Sequence, residues 1–123
     1  MTRLLLAQSN RDLVEPLKVR LRPEARRDLL SIFSYVLERS RSPSTARGFT
    51  QRIRARCERI GFAPYGGRPR DDLEDGLRTV AFEHTAVIAY KVEDGCVRVI
   101  NIFYGGRDYE AQFLRAPPDD PDQ

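Results

Sequence analysis

The sequence predicts an α+β domain in which a helical hairpin packs on a mainly antiparallel sheet, in the order β-α-α-β-β-β. Two consecutive stretches repeat apolar residues at three- and four-residue steps, the period of amphipathic helices. From Leu77 onward the period changes to two, in segments rich in β-branched and aromatic residues. A chain of 123 residues holds one two-layer core and is too short for two ordinary domains.

Residues 1–16 have no clear periodicity and are set apart as an N-terminal extension, with a short helix allowed through Asn10 to Val14. Leu17-Lys18-Val19-Arg20-Leu21 alternates apolar and basic residues, the pattern of a half-buried strand. Pro23 and Glu24 then suit the first turn of a helix, where proline lacks only an amide that would be unpaired and glutamate meets the positive end of the dipole. Leu29, Ile32, Phe33 and Val36 give this helix its apolar face, opposite Arg26, Arg27, Ser31, Ser34 and Glu38. Ser40-Arg41-Ser42-Pro43 ends it, and Ser42 or Ser44 is placed to cap the next. In the second helix Ala46, Phe49, Ile53, Cys57 and Ile60 share one face, and the pattern stops at Gly61. Ala63 to Arg70 holds two prolines and two glycines and is read as a loop without regular structure. Leu77 to Phe82, Ala86 to Val92 and Cys96 to Tyr104 are read as strands. The Asp94-Gly95 pair marks a hairpin between the last two, and His84-Thr85 closes the turn before them. The domain is thus drawn over 17–109, followed by a C-terminal tail, 110–123, acidic and expected to be disordered from 117.

Composition excludes several classes of function. The chain is 41% apolar and 32% charged, which is globular, and no apolar run approaches the roughly 20 residues of a membrane span. Arg3 and the Leu4-Leu5-Leu6 triplet are followed at once by polar residues, so no export signal is read and the expected compartment is the cytoplasm. Two cysteines, Cys57 and Cys96, are too few for a secreted disulfide scaffold, although one bridge between them stays open. One histidine and two distant cysteines make no zinc site, so no metal is expected. The formal charge is +3; setting aside the three Asp of Pro117 to Gln123 leaves +6 for the rest. Those bases are arginines except Lys18 and Lys91. Guanidinium groups bind carboxylate or phosphate in a fork but shuttle protons poorly; a biased genome composition would also favour them.

Several local motifs, in this order and spacing, resemble the ParE/RelE toxin superfamily and its ParE-type members in particular. They are Leu21-Arg22-Pro23-Glu24-Ala25 with Asp28-Leu29, Tyr35-Val36 with Glu38-Arg39-Ser40, and Phe62-Ala63-Pro64. Further on come Gly67-Arg68-Pro69-Arg70, Gly76-Leu77-Arg78, Tyr90-Lys91-Val92 and Phe103-Tyr104-Gly105-Gly106-Arg107-Asp108. The resemblance spans about Leu17 to Asp108. It implies the toxin of a chromosomal or plasmid toxin–antitoxin pair, silenced by a cognate ParD-like antitoxin with an acidic segment. For ParE-type members it implies DNA gyrase as the target, whereas RelE-type relatives cut mRNA on the ribosome. Tyr104 stands where many ParE-like chains carry histidine, which keeps the ribonuclease alternative open, and the first sixteen residues have no counterpart in the minimal domain.

The basic stretch from Arg39 to Arg70 attracts a polyanion or an acidic protein segment. Much of it is equally well a solvated helix face, but Arg68 and Arg70 fall in the Gly/Pro loop and are taken as partner contacts. The expected partner-binding set is Arg68, Arg70, Arg78, Tyr104 and Arg107. An endoribonuclease would use Arg68, Arg70, Arg78 and Tyr104, but it also needs a base and an acid for the 2′-hydroxyl and the leaving oxygen. His84 has the right intrinsic pKa and sits at a turn, where a plain surface role is favoured; Tyr109 is a further candidate. No catalytic residue is therefore assigned. Gly105-Gly106-Arg107-Asp108 lacks the spacing of a phosphate loop, so no cofactor is expected, and Arg107-Asp108 is read equally as an internal ion pair or a contact. Phe33, Phe49, Phe62, Phe82 and Tyr90 are read as core.

Overall fold

The computed structural model describes residues 15–105 and 109–115. The short helix allowed near Asn10 and the acidic tail from 117 lie outside the described residues. A strand β1 (Lys18–Leu21) leads into helices α1 (Pro23–Ser40) and α2 (Pro43–Ile60). Four strands follow, β2 (Arg68–Pro69), β3 (Arg78–Phe82), β4 (Ala86–Glu93) and β5 (Cys96–Tyr104), then a short helix α3 (Tyr109–Arg115). The sheet order is β1-β5-β4-β3-β2, with β1 parallel to β5 and every other pair antiparallel.

Local chemistry accounts for the boundaries. Pro23 occupies the first turn of α1 with Glu24 beside it. Ser42 caps α2, its hydroxyl accepting from the Thr45 amide at 3.2 Å. Between the helices Arg41 takes a left-handed conformation (φ 58°) and donates its amide to the Leu37 carbonyl at 2.7 Å, a helix-ending geometry usually supplied by glycine. Asp94 and Gly95 both have positive φ, 53° and 73°, as the two-residue hairpin turn requires. The β3–β4 turn achieves the same reversal without glycine, through Glu83 and His84 at 47° and 59°.

The helical hairpin covers one face of the sheet. Ala25, Leu29, Ile32, Ile53, Cys57 and Ile60 meet Ile88, Tyr90, Val97, Val99 and Ile102 in one buried cluster. Phe49 packs against its margin, and Phe33 is half-buried. Phe62, expected in the core, is instead 71% exposed. The helix ends at Ile60, and Phe62 lies in the turn beyond it, its amide donating to the Arg59 carbonyl at 3.1 Å, so the buried face of the helix does not extend to it. Both cysteines are free and buried, and burial pushes the Cys57 thiol up to about 12.

Two elements were not expected. Within the Gly/Pro loop, Arg68 and Pro69 pair with Thr79 and Arg78, so this segment forms a short edge strand in which proline is tolerated. Helix α3 extends the folded part beyond residue 109 and packs on the second face of the sheet. There Tyr109 stacks on Phe103 at 5.4 Å, Phe113 meets it edge-on at 6.1 Å, and Leu77 and Ala89 are buried beneath.

A bulge in β5 opposite Ala89 and Tyr90 shows how α1 and the sheet are joined. Strand β5 outruns β1, leaving amides on its outer side without a strand partner. The Asp28 carboxylate accepts from the Ile102 amide at 2.8 Å and the Asn101 side-chain amide at 3.1 Å. Asp28→Ala is therefore expected to destabilise the fold by about 1–3 kcal/mol, by leaving a partly buried amide unsatisfied. The check is a lower urea midpoint at unchanged slope.

Candidate partner-binding site

The segment from Gly61 to Arg70 is held by two side chains of the sheet. The Tyr90 ring is fully buried, and its hydroxyl donates to the Pro64 carbonyl at 2.8 Å while accepting from the Gly67 amide at 2.9 Å. Arg78 donates through Nη1 to the carbonyls of Tyr65 and Gly67, both at 2.9 Å, and its guanidinium lies 5.3 Å from the Tyr65 ring centre. These contacts fix the loop although its composition alone predicts no regular element. Arg78 is accordingly a loop clamp, half-buried and turned toward the loop carbonyls.

Arg70 has a similar structural employment. Its side chain is only 7% exposed, donating from Nε and Nη2 to both carboxylate oxygens of Asp72 and from Nη1 to Tyr109 Oη and Glu110 Oε2. Asp72, then Glu110, holds the guanidinium pKa above its ordinary value, and Arg70 holds the Asp72 carboxyl below the usual carboxylate range. Arg70 thus ties α3 to the loop, and its donors are turned inward. Arg68, two residues earlier on the same face of β2, is exposed and remains available to a partner.

Tyr104 belongs to another part of the molecule. Its ring contacts Tyr35 and Phe49, each at 5.4 Å, and Phe49 contacts Phe82 at 5.9 Å. Arg39 stands over the Tyr35 ring and Arg52 over Phe49, at 5.2 and 5.4 Å. Arg52 also forks onto Glu83, with bonds of 2.9 and 3.1 Å. This aromatic and arginine cluster was not read from the sequence as a unit. The usable signal was helical spacing, since Tyr35/Arg39 and Phe49/Arg52 are four and three residues apart. Arg107 lies outside the described residues.

The expected residues are therefore not one constellation. Arg68 and Arg70 pair with Thr79 and Leu77, on the α3 side of the sheet. Arg78 and Tyr104 lie on the helix side, at opposite ends of their strands: Arg78 begins β3, whereas Tyr104 pairs with Ala86, which lies opposite Phe82 at the end of β3. Four residue steps of strand separate these ends by about 13 Å. His84 is an exposed turn residue, and among the described residues no group of histidine, cysteine, aspartate or glutamate is placed to hold a metal.

Comparison with known proteins identifies this architecture. The family model described as the ParE toxin of the type II toxin–antitoxin system parDE matches residues 19–109. The chain belongs to the ParE toxin family. A solved structure entitled "Chromosomal ParDE TA system from P. aeruginosa" is similar in fold, with a TM-score of 0.64 and 18% identity over 72% of this chain and 96% of that one. No curated protein matches the sequence. In this ParE chain Asp28, Pro64, Arg78 and Tyr90 are the parts that join helices, loop and sheet. Among the described residues no helix is long and apolar enough to cross a membrane.

Proposed function

We propose that this ParE-family chain is a cytoplasmic toxin that inhibits DNA gyrase and is neutralised by a cognate ParD-like antitoxin. Family membership supports the type of system. The observation that favours an inhibitor over a RelE-like mRNA endoribonuclease is the distribution of Arg68, Arg70, Arg78 and Tyr104 over two faces and two ends of the sheet. Proton transfer at one phosphate needs its donor, its acceptor and the stabilising cations within hydrogen-bond reach of the same atoms.

A groove of about 310 Å³ between α1 and α2 supports an antitoxin contact. Leu29, Leu30 and Phe33 line it together with Arg26 and Arg54, and Leu30 is 68% exposed. Such a groove suits the apolar face of an amphipathic segment with acidic flanks.

Purified chain added to a supercoiling assay and, in parallel, to a translating extract tests the target. Gyrase activity is expected to fall while mRNA stays intact; cleaved mRNA with unaffected supercoiling would overturn the proposal in favour of the ribonuclease reading.

A further inference from the structure

Helix α2 carries a row of arginines on the flank turned away from α1. Thr50, Gln51 and Arg54 line the groove toward α1, so the helical period sends Arg52, Arg56 and Arg59 to the other side, where Arg52 reaches Glu83 just past β3. The row climbs the helix in steps of about 6 and 4.5 Å. Arg52 and Arg59 are exposed and Arg56 is half-buried. Among the described residues no carboxylate lies within ion-pair distance of Arg56 or Arg59. Ala55, the exposed residue between them, is too small to anchor a protein partner. Burial raises the Tyr90 hydroxyl pKa, and the Gly67 amide and the charges of Arg78 and then Arg56 oppose the rise. Both guanidiniums thus act on the same end of that ring, beside the loop.

The row of charge runs into two exposed rings. Beyond Ile60 the chain tightens into a turn in which the amides of Gly61, Phe62 and Ala63 donate to the carbonyls of Glu58, Arg59 and Ile60 at 3.1, 3.1 and 3.0 Å. Side chains three apart eclipse in such a turn, so Phe62 continues the line of Arg59, and Tyr65 comes three residues later. Phe62 is 71% exposed and Tyr65 65%, and both line one cleft of about 510 Å³. Neighbouring large rings left in water mark an interaction surface, which scattered apolar residues do not. The bonds from Tyr90 and Arg78 fix the loop that carries them, so a ligand need not order it. Glu15, Glu93 and Asp94 also line the cleft and repel a chain of phosphates, which confines such a chain to the arginine side.

We propose that this flank binds single-stranded DNA, with phosphates along Arg52, Arg56 and Arg59 and bases stacked on Phe62 and Tyr65. A basic track beside exposed rings is what an unpaired strand needs, since guanidinium forks onto phosphate and every base has a face to stack. A duplex keeps its base faces inside and offers none to the rings. An acidic protein segment satisfies the arginines but gains nothing from the ring faces. The line holds cations and rings, neither of which selects a ribose hydroxyl, so deoxyribose is enough. Binding here goes beyond inhibition of gyrase, and its test contains neither gyrase nor antitoxin, so each reading can fail alone.

The probe is a fluorescein-labelled oligothymidylate of about 12 nucleotides, titrated with the full chain and followed by anisotropy. Binding is expected to saturate and to weaken with salt at a log–log slope of about −2, as three phosphate contacts on a single strand give. Arg59→Gln and Phe62→Ala should each weaken it about tenfold, with the melting temperature kept within about 2 °C. The chain has no tryptophan, so Phe62→Trp places a single indole beside the bound strand, and stacking should quench its emission in step with the anisotropy. Absence of binding at low salt, undiminished binding by either of the first two variants, or unchanged indole emission at saturation overturns the proposal. So does tighter binding of a duplex of the same length, of an oligouridylate or of polyglutamate, or binding seen only after residues 1–14 are removed.

Discussion

Gly67→Ala is expected to lower stability by about 2 kcal/mol, roughly 10 °C in melting temperature for a domain of this size. A Cβ at position 67 would lie 2.5 Å from the Tyr90 hydroxyl oxygen and about as close to the ring, at 2.9 and 3.0 Å. The ring cannot yield, because it is fully buried between helix and sheet and its hydroxyl is bonded on both sides. Relief must come from the loop, which breaks both hydrogen bonds and displaces the segment carrying Arg68. Thermal denaturation by circular dichroism measures the loss, and a double-mutant cycle with Tyr90→Phe assigns it. Removing the hydroxyl alone leaves a buried amide unpaired, whereas in the double variant it also removes the shortest clash, so the two losses should sum to more than the double variant shows. Additive losses, or an unchanged melting temperature for Gly67→Ala, would show that the loop is not fixed through this contact.

The second large effect separates two arginines that look equivalent in the sequence. Arg70→Ala should lower the melting temperature by roughly 5–10 °C, because it strands Asp72 and Glu110 together and unlatches α3 from Phe103. Arg68→Ala should leave it within about 2 °C, as surface changes usually do. Loss of exchange protection in α3 for the first variant alone is the distinguishing readout; equal melting temperatures would refute the latch. The latch should also be sensitive to acid. Since the Asp72 carboxyl is held below its ordinary pKa, the stability it adds is present above that ordinary value and disappears as pH falls through the lowered one. Growth assays of toxicity are then interpretable for Arg68→Ala, whereas a double substitution of both arginines mixes a surface change with a folding defect.

Periodicity made the helical hairpin and the three long strands legible, because Leu29, Ile32, Ile53 and Ile60 on one side and Ile88, Val97 and Val99 on the other each obey one simple repeat. The Asp94-Gly95 hairpin was legible for a local reason, the backbone conformation that those two residues favour. What escaped depended on residues distant in sequence. Arg70 finds Glu110 forty positions away, and no pattern around either announces the pair. The two-residue β2 exists only because β3 offers an edge, and α3 is too short to show a period. The same limit applies to the expected site: a loop rich in arginine, glycine and proline was visible, but which arginines face outward was decided by Tyr90, Asp72 and Tyr109. Phe62 illustrates the converse. Its hydrophobic character argued for the core, but it lies in the turn past the end of the helix, outside the face that is buried.

The parallel pairing of β1 with β5 also governs the order in which the molecule can become itself. Lys18 must wait for Cys96, and Leu21 for Val99, so the outer strand cannot join the sheet until β5 is in place. The α-hairpin and the β3–β4–β5 meander close over short stretches and are free to form first, with the β1 junction a late step burdened by the entropy of a long loop. Until that junction closes, the outer flank of β5 stays bare beside an already paired meander. During that interval β1 has to take this seat ahead of any other extended segment, since an unpaired strand flank accepts whichever one reaches it first.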